Sequence, residues 1–425
     1  MEQARVSSPW RVGVIGIGYV GLPLAVLLAR RSHRVLGIDV NQKRVDAVNT
    51  GQSYVEGISS RGLARLVRRG RLRASSNYDH IHDLDAVILC LPTPVDENGL
   101  PDLSALVEAT RSVAPRLKPG ALVVLESSSY PGTTEDLVRP LLEAAGRKVG
   151  KDFYLAYSPE RVNPAAPPPL ERIPKLLSGV TLGCVDMAEQ LYRTAFRRLV
   201  RVSSPRVAEM AKLVENAHRL VNIAFVDDMA QISHKLGLDI WEVLEAAGTK
   251  PFGYTPYLPG PGVGGHCIPV DPLYLQWSAR GAGTDSPLIA AAVEVSRSMP
   301  RYVVKRLASH LGELDGRRLL LLGVAYKQNV SDVRESPALD VLEKLAEVGA
   351  EIHYHDPHIA ALKVAGHEYR SEVLTTQLLR TVEAVVVLTA HDSVDYRLVA
   401  DEARWVLDTR NALSGLGPLP NLERL

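Results

Sequence analysis

The sequence predicts an α/β protein of two Rossmann-like doubly wound domains joined by a long central helix. Three observations carry this. RVGVIGIGYVGLPLAVLLARRSHRVLGIDV, from Arg11, reads as strand, glycine turn, helix and strand in about 30 residues, the size of a βαβ crossover. The same rhythm returns after residue 300. Between the two, SSPRVAEMAKLVENAHRLVNIAFVDDMAQISHKLG is a helical pattern with no internal breaker.

In chain order, the first crossover ends in Asp39. DAVILCLPTP follows as a buried strand with a loop at its carboxyl end, then a helix in ALVEATRSVAPRL, a strand in ALVVLESS, and a strand and loop in DFYLAYSPERV. A parallel sheet is expected to about residue 200. The long helix opens with Ser204 as cap and Pro205 in its first turn, and closes at Gly237. IWEVLEAAG makes a second helix before the loop GPGVGGHCIPVDP at 260–272. RRLLLLGVAYK, the capped helix SPALDVLEKLAEVG, AEIHYHDP, AVVVLTAHD and RWVLDTRN then repeat the strand–helix alternation. The domains are therefore drawn at 1–203, 204–298 and 299–425.

Composition bounds the function. Of 425 residues, 46% are hydrophobic and 23% charged, and the net charge of +1 gives no bulk attraction to nucleic acid or to an acidic membrane. RLVRRGRLR at 65–73 reads as a solvated helix end rather than a phosphate-backbone patch. The mixed, polar first ten residues leave no room for a signal peptide, and no apolar run approaches the roughly 20 residues of a membrane span. Three cysteines without paired spacing argue against a disulfide framework and for a reducing cytoplasm.

The chemistry begins with Gly16, Ile17, Gly18, Tyr19, Val20 and Gly21, a GxGxxG with a strand before it, a helix after it and an acid, Asp39, about 20 residues on. Gly16 allows the turn, Gly18 lets the backbone approach a pyrophosphate, and Gly21 lets helix pack on strand. Asp39 would accept from the ribose hydroxyls and favour NAD over NADP. Arg44, one helical turn further, tempers that preference.

Cys90 and Cys184 lie in apolar contexts and read as small buried hydrophobes. Cys267 lies on a loop of glycines and prolines. No second cysteine is near enough for zinc, so the residue is either a nucleophile or structural. HYHDPH at 353–358 places His353 and His355 on one strand face, and a metal there is not expected.

GVIGIGYVGLPLA, SPERVNP, AEMAKLVENAHR, GPGVGGHCIPVDPLYL and YKQNVSDVRESPAL together resemble the nucleotide-sugar 6-dehydrogenases, in family order over nearly the whole chain. The resemblance implies a UDP-sugar substrate, NAD, and oxidation of a primary alcohol to a carboxylate. That removes four electrons, so two NAD act in turn while Cys267 holds the aldehyde as a thiohemiacetal and then a thioester. It implies that Lys212 and Asn216 steady an oxyanion and a water, and that Asp271 positions or activates water. The ordinary alternatives are a Lys212–Glu209 surface ion pair and a loop-stabilising Asp271. Ser129, where many relatives have threonine, is a water or proton partner, and Thr93 and Ser128 line the cofactor.

Glu160 matches the first glutamate of the UDP-glucose enzymes. Position 164 is proline where they have a second, and Arg161 and Asn163 follow instead. The SPERV and GGHCIPVDP forms are closer to the branch that oxidises UDP-N-acetylhexosamines. Gly264, Tyr326, Lys327 and Arg410 resemble substrate contacts, and Arg334 one that reaches the NAD pyrophosphate. His266 either tunes the thiol or contacts substrate. The long helix predicts a homodimer, with Val207, Met210, Val214 and Leu220 split between core and interface. Two other readings compete: a two-electron hydroxyacid-type dehydrogenase, and a catalytically silent nucleotide-binding scaffold.

Overall fold

The computed structural model describes residues 9–162 and 168–425. Asn163 and Pro164 lie outside the described residues. The chain divides into two compact units, one of residues 1–215 with 273–282, the other of 216–272 with 283–425.

The first unit is built on an eight-stranded sheet. Its strands are β1 (Arg11–Ile15), β2 (Arg34–Ile38), β3 (Leu72–Ser75), β4 (Ala86–Leu89), β5 (Leu122–Leu125), β6 (Tyr154–Tyr157), β7 (Lys175–Gly179) and β8 (Leu199–Arg201). They run in the order β3-β2-β1-β4-β5-β6-β7-β8. Every pairing is parallel except β6 with β7, so the fully parallel sheet expected from the alternation carries one antiparallel step. Helices α1 (Gly21–Arg30), α2 (Gln42–Thr50) and α3 (Ser60–Arg68) connect the first three strands. Val12, Val14, Leu22, Leu28, Val35 and Ile88 share one core, which is why these strands read as unbroken apolar runs. The order reverses between β1 and β4, and in open α/β sheets ligands collect at the carboxyl ends of strands at such a point.

The second unit holds a five-stranded parallel sheet of β9 (Arg318–Leu322), β10 (Glu351–His355), β13 (Ala384–Val387), β14 (Val406–Asp408) and β15 (Leu422–Arg424), ordered β10-β9-β13-β14-β15. A hairpin of β11 (Ala361–Val364) and β12 (His367–Arg370) lies beside it in sequence. The four leucines of β9 divide by period two: Leu319 and Leu321 enter one core, Leu320 and Leu322 another. Both faces are buried, and each such side chain contributes roughly 1.5–3 kcal/mol.

The long helix spans Pro205–Lys235. The Ser204 hydroxyl accepts from the Val207 amide (3.3 Å), and Gly237 takes a positive φ of 71° just past the end, as the sequence predicts. Val226 and Ala230 in its later half pack with Met299, Val303 and Leu307 of the helix Pro287–Leu311. The helix Pro337–Glu347 differs from expectation. Ser336 stands at its N-cap, but its hydroxyl donates to the Val324 carbonyl (2.8 Å) and not to the helix. Among the described residues, no helix is long and apolar enough to cross a membrane.

Candidate active site

The glycine fingerprint follows β1 at the reversal of strand order. Gly16 has φ +85°, and a Cβ there would lie 2.2 Å from the Cys90 carbonyl oxygen. A Cβ on Gly21 would lie 1.9 Å from the Gly16 carbonyl oxygen, so α1 could not begin where it does with any other residue. At Gly18 the added atom meets only the Arg44 guanidinium, at 3.9 Å, which leaves that backbone open for a phosphate. Asp39 follows β2 and accepts from the Ile17 amide (3.0 Å), the Asn41 amide (2.9 Å) and Arg44 Nη1 (3.3 Å). The residues present therefore fit a dinucleotide with a ribose at Asp39 and a pyrophosphate at the start of α1. Tyr54, with no signal in the sequence, donates from its hydroxyl to the Ile17 carbonyl (2.5 Å) and braces the same turn.

Thr93 follows β4, and Ser128 and Ser129 follow β5. Thr93 is buried. The Ser129 hydroxyl is fully buried and has no hydrogen-bond partner among the described residues, whereas Ser128 is only half-buried. Tyr130 next to them packs on Trp277 (centroids 4.5 Å apart) and Tyr274 (6.4 Å), from the helix Asp271–Gly281.

The long helix carries polar groups on its buried stripe. Glu209, Lys212 and Asn216 are all less than a tenth exposed. The supposed Lys212–Glu209 surface pair is not formed. Glu209 instead accepts from the Gly132 amide (2.6 Å), the Thr134 amide (2.9 Å) and the Thr134 hydroxyl (2.6 Å), anchoring the loop after Tyr130. Burial raises its carboxyl pKa against those three donors. Lys212 Nζ lies 3.9 Å from Glu160. A sequence signal for this existed: polar residues at i, i+3 and i+7 on a helix otherwise apolar along that face.

Glu160 rides on a braced segment. Lys175, 5% exposed, donates to the Ser158 and Pro159 carbonyls (3.4 and 3.3 Å) and pairs with Glu126 (2.6 Å), which in turn accepts from the Tyr192 hydroxyl. Arg161 is held by Glu215 (2.6 Å) and the Pro174 carbonyl (3.0 Å).

In the second unit the glycine-rich loop is fixed by three backbone amides. Gly260 donates to Asp227 (2.9 Å), Val263 to the Ser296 hydroxyl (3.1 Å) and Gly265 to the Arg334 carbonyl (3.2 Å). The loop then turns: the amides of Val270 (3.3 Å) and Asp271 (2.8 Å) both donate to the Cys267 carbonyl. Asp271 starts the helix Asp271–Gly281, is 2% exposed, and accepts from Asn216 Nδ2 at 2.5 Å. Cys267 is half-buried and in no disulfide.

The loop glycines answer to packing. A Cβ on Gly264 would lie 2.5 Å from the Glu335 carbonyl oxygen, and one on Gly265 (φ +89°) 2.8 Å from the Tyr326 ring. On Gly260 it would lie 2.3 Å from the Arg410 guanidinium. The side of Gly264 without a side chain thus faces protein. Tyr326 and Lys327 follow β9 and Arg410 follows β14, at carboxyl ends of the second sheet. Burial and neighbouring Arg219 lower the Lys327 pKa. Arg410 donates to the Leu388 carbonyl (2.9 Å), and Arg334 pairs with Asp332 (2.7 Å).

Burial, aided by Arg334, lowers the His266 pKa and so disfavours the charged ring that would draw a thiol's pKa down. Burial raises the Asp227 pKa to about 7, outweighing Gly260 and Arg410. His353 pairs with Glu372 (2.5 Å) and Glu351 (3.2 Å), and Asp356 accepts from the Val324 amide (2.7 Å) and from His391 (3.1 Å).

Comparison with known proteins identifies the family of the chain. The UDP-glucose/GDP-mannose dehydrogenase family matches in three segments: its NAD binding domain over residues 10–196, its central domain over 206–298 and its UDP binding domain over 320–415. The chain belongs to this family. It is an NAD-dependent oxidoreductase. A UDP-N-acetyl-D-glucosamine 6-dehydrogenase of Pseudomonas aeruginosa is 36% identical over 388 residues, 90% of each chain. The structure of a UDP-D-ManNAc dehydrogenase from Pyrococcus horikoshii superposes with a TM-score of 0.87 at 30% identity, covering 97% of this chain and 98% of that one. A UDP-glucose dehydrogenase from Pyrobaculum islandicum gives 0.86 at 29%, covering 97% of each.

Proposed function

We propose that this family member oxidises the C6 hydroxyl of a UDP-N-acetylhexosamine to the carboxylate. The observation that carries the chemistry is the tie of Asn216 to Asp271 at 2.5 Å, with Asp271 bonded through its amide to the Cys267 carbonyl. These bonds tie the Cys267 backbone to the residue whose carboxylate Asn216 holds, and a thiol, a buried carboxylate and an amide donor are the set needed to capture an aldehyde and later hydrolyse a thioester. The relatives' names favour an acetamido sugar, as does the SPERV form at Glu160.

Bound NAD+ supplies the hydride acceptor, and two molecules are consumed per substrate. Gly16, Gly18, Gly21, Asp39, Thr93 and Ser128 would hold it. Tyr326, Lys327, Arg161 and Arg410 hold the nucleotide sugar. Lys212, paired with Glu160, stabilises the alkoxide and later the oxyanion of each tetrahedral adduct. Cys267 adds to the C6 aldehyde, forming a C–S bond while the oxygen takes a proton. Loss of hydride from that carbon and of the hydroxyl proton to solvent leaves the thioester, just as loss of a hydride and a proton from the alcohol first gives the aldehyde. Asp271, steadied by Asn216, accepts a proton from the attacking water, the C–S bond breaks, and the thiol leaves with the carboxylate formed.

The protein would act as a homodimer in a reducing cytoplasm, where its three cysteines stay out of disulfides. Val207, Met210 and Val214 leave 46%, 39% and 48% of their surface exposed on the long helix while Leu220 is buried, an apolar stripe suited to a second copy.

Counting NADH formed per UDP-N-acetylglucosamine tests the mechanism. Two is expected. One would place the chain with two-electron dehydrogenases, and none with silent nucleotide binders. A panel adding UDP-N-acetylmannosamine, UDP-N-acetylgalactosamine and UDP-glucose tests the sugar, and a preference for UDP-glucose overturns the acetamido assignment.

A further inference from the structure

The first unit has a second cleft that none of the residues above enters. It lies along α1 and α3 and reaches the residue before β3, with a volume of about 570 Å³, within the roughly 300–1,000 Å³ of small-molecule sites. Arg30, Arg61, Arg65, Arg69 and Arg71 line it, and no acidic residue does. The chain's net charge is only +1, and arginines elsewhere in the same unit find carboxylates: Arg116 with Asp79, Arg139 with Glu143, Arg201 with Glu189, Arg206 with Asp136. Among the described residues, none of the five cleft arginines has an ion pair; Arg71 donates to the Ser32 carbonyl.

The arrangement follows from the sequence. Arg61 and Arg65, four residues apart, project from one face of α3 and Arg69 follows at its C-cap, while Leu63 and Leu66 are buried. Arg30 ends α1 and Arg71 leads into β3. Ser59 caps α3, accepting from the Gly62 amide (3.3 Å), so the positive end of a helix adds to the field. The fingerprint and Asp39 stand at the carboxyl ends of parallel β1 and β2, whereas Ser32 and Arg71 precede β2 and β3 at the amino edge. A strand length, about 16 Å at roughly 3.3 Å per residue, separates the two edges.

We propose that this cleft is an anion site distinct from the dinucleotide site, and that its ligand carries two or more linked phosphate groups. Guanidinium forks engage phosphate oxygens in pairs, and five of them spread along one groove match a chain of charges better than a single one. Free polyphosphate and the phosphate tail of a nucleotide share this chemistry. The proposal is independent of the sugar oxidised and of the thioester route.

The test is calorimetric titration of the full chain with tripolyphosphate while NAD+ and UDP are kept saturating, so that the nucleotide sites of the reaction are filled. One binding event is expected, weakened about tenfold or more by Arg65→Gln with Arg69→Gln, and weakened comparably between about 50 and 200 mM salt. Arg139→Gln, an ion-paired arginine elsewhere, should keep the wild-type affinity. Turnover without tripolyphosphate should stay within about twofold of wild type in the double variant, since neither residue serves the reaction. A parallel titration with ATP separates the sources: tighter binding than tripolyphosphate identifies a nucleotide, equal binding the phosphate chain alone. If the double variant does not fold, the single variants carry the same comparison. No binding of tripolyphosphate, undiminished binding by the variants, or binding of heparin or duplex DNA alone overturns the proposal.

Discussion

Asn216 Nδ2 lies 2.5 Å from Asp271 Oδ2, joining the long helix to the residue that ends the cysteine loop. Asn216→Leu keeps the branching of the side chain at Cγ and removes the donor. The buried carboxylate loses one hydrogen bond, worth about 1.5–3 kcal/mol when a charged group is involved. We expect a lower melting temperature and a drop in kcat of about a hundredfold with KM little changed, measured by steady-state kinetics. Retention of wild-type kcat would remove this pair from the reaction.

Cys267→Ala should abolish four-electron turnover. Cys267→Ser should form an ester that hydrolyses slowly, visible as a covalent adduct by intact-protein mass spectrometry. Full turnover by the alanine variant would exclude the thioester route.

The turn around Asp39 makes a prediction about cofactor choice. Its carboxylate holds Arg44 at 3.3 Å and would repel a 2′-phosphate. Asp39→Ser removes the repulsion and frees the guanidinium. The ratio of kcat/KM for NADP+ over NAD+ should rise about tenfold or more, at some cost in stability because the Ile17 and Asn41 amides lose their acceptor.

Asp227 gives a pH dependence. Its pKa is raised from 3.8 to about 7 in the folded chain, so between those values the folded state holds a proton that the unfolded state has released. Stability from this group is full below about pH 4 and is lost as pH rises through about 7. Arg410 beside it opposes the shift, and the Gly260 amide is its hydrogen-bond donor. Asp227→Asn should therefore flatten the fall in stability over that window, by up to about 1.4 kcal/mol per pH unit. Identical slopes for the two proteins, from denaturant melts at several pH values, would refute the assignment.

The apolar stripe on the long helix predicts the oligomer. Val214→Glu should shift the species seen by light scattering from dimer to monomer. A wild-type monomer at micromolar concentration contradicts the homodimer.

Much of this was legible in the sequence where the physics is local. The fingerprint glycines, the cap at Ser204 and the end at Gly237 follow from backbone rules that act within a few residues. Tyr54, Lys175 and Asp227 gave no such signal, because each works on a backbone group far away in the chain. Glu209 was visible as a polar residue on an apolar stripe, yet its partners at Gly132 and Thr134 were not. The short strands β11, β12 and β15 lack an apolar run and depend on pairing for their identity. The reason for the cysteine-loop glycines likewise came only with the structure, which uses the missing side chains of Gly260, Gly264 and Gly265 to seat the loop on Arg410, Glu335 and Tyr326.

That seating has an evolutionary consequence. Position 265 can gain a side chain only if position 326 gives up an aromatic ring, and position 260 only if the guanidinium at 410 withdraws. Across homologues these positions should covary as two pairs: lineages that trade the glycine at one member should carry a smaller residue at the other. The thiol's scaffold is thus inherited in linked pieces from segments well apart in the gene.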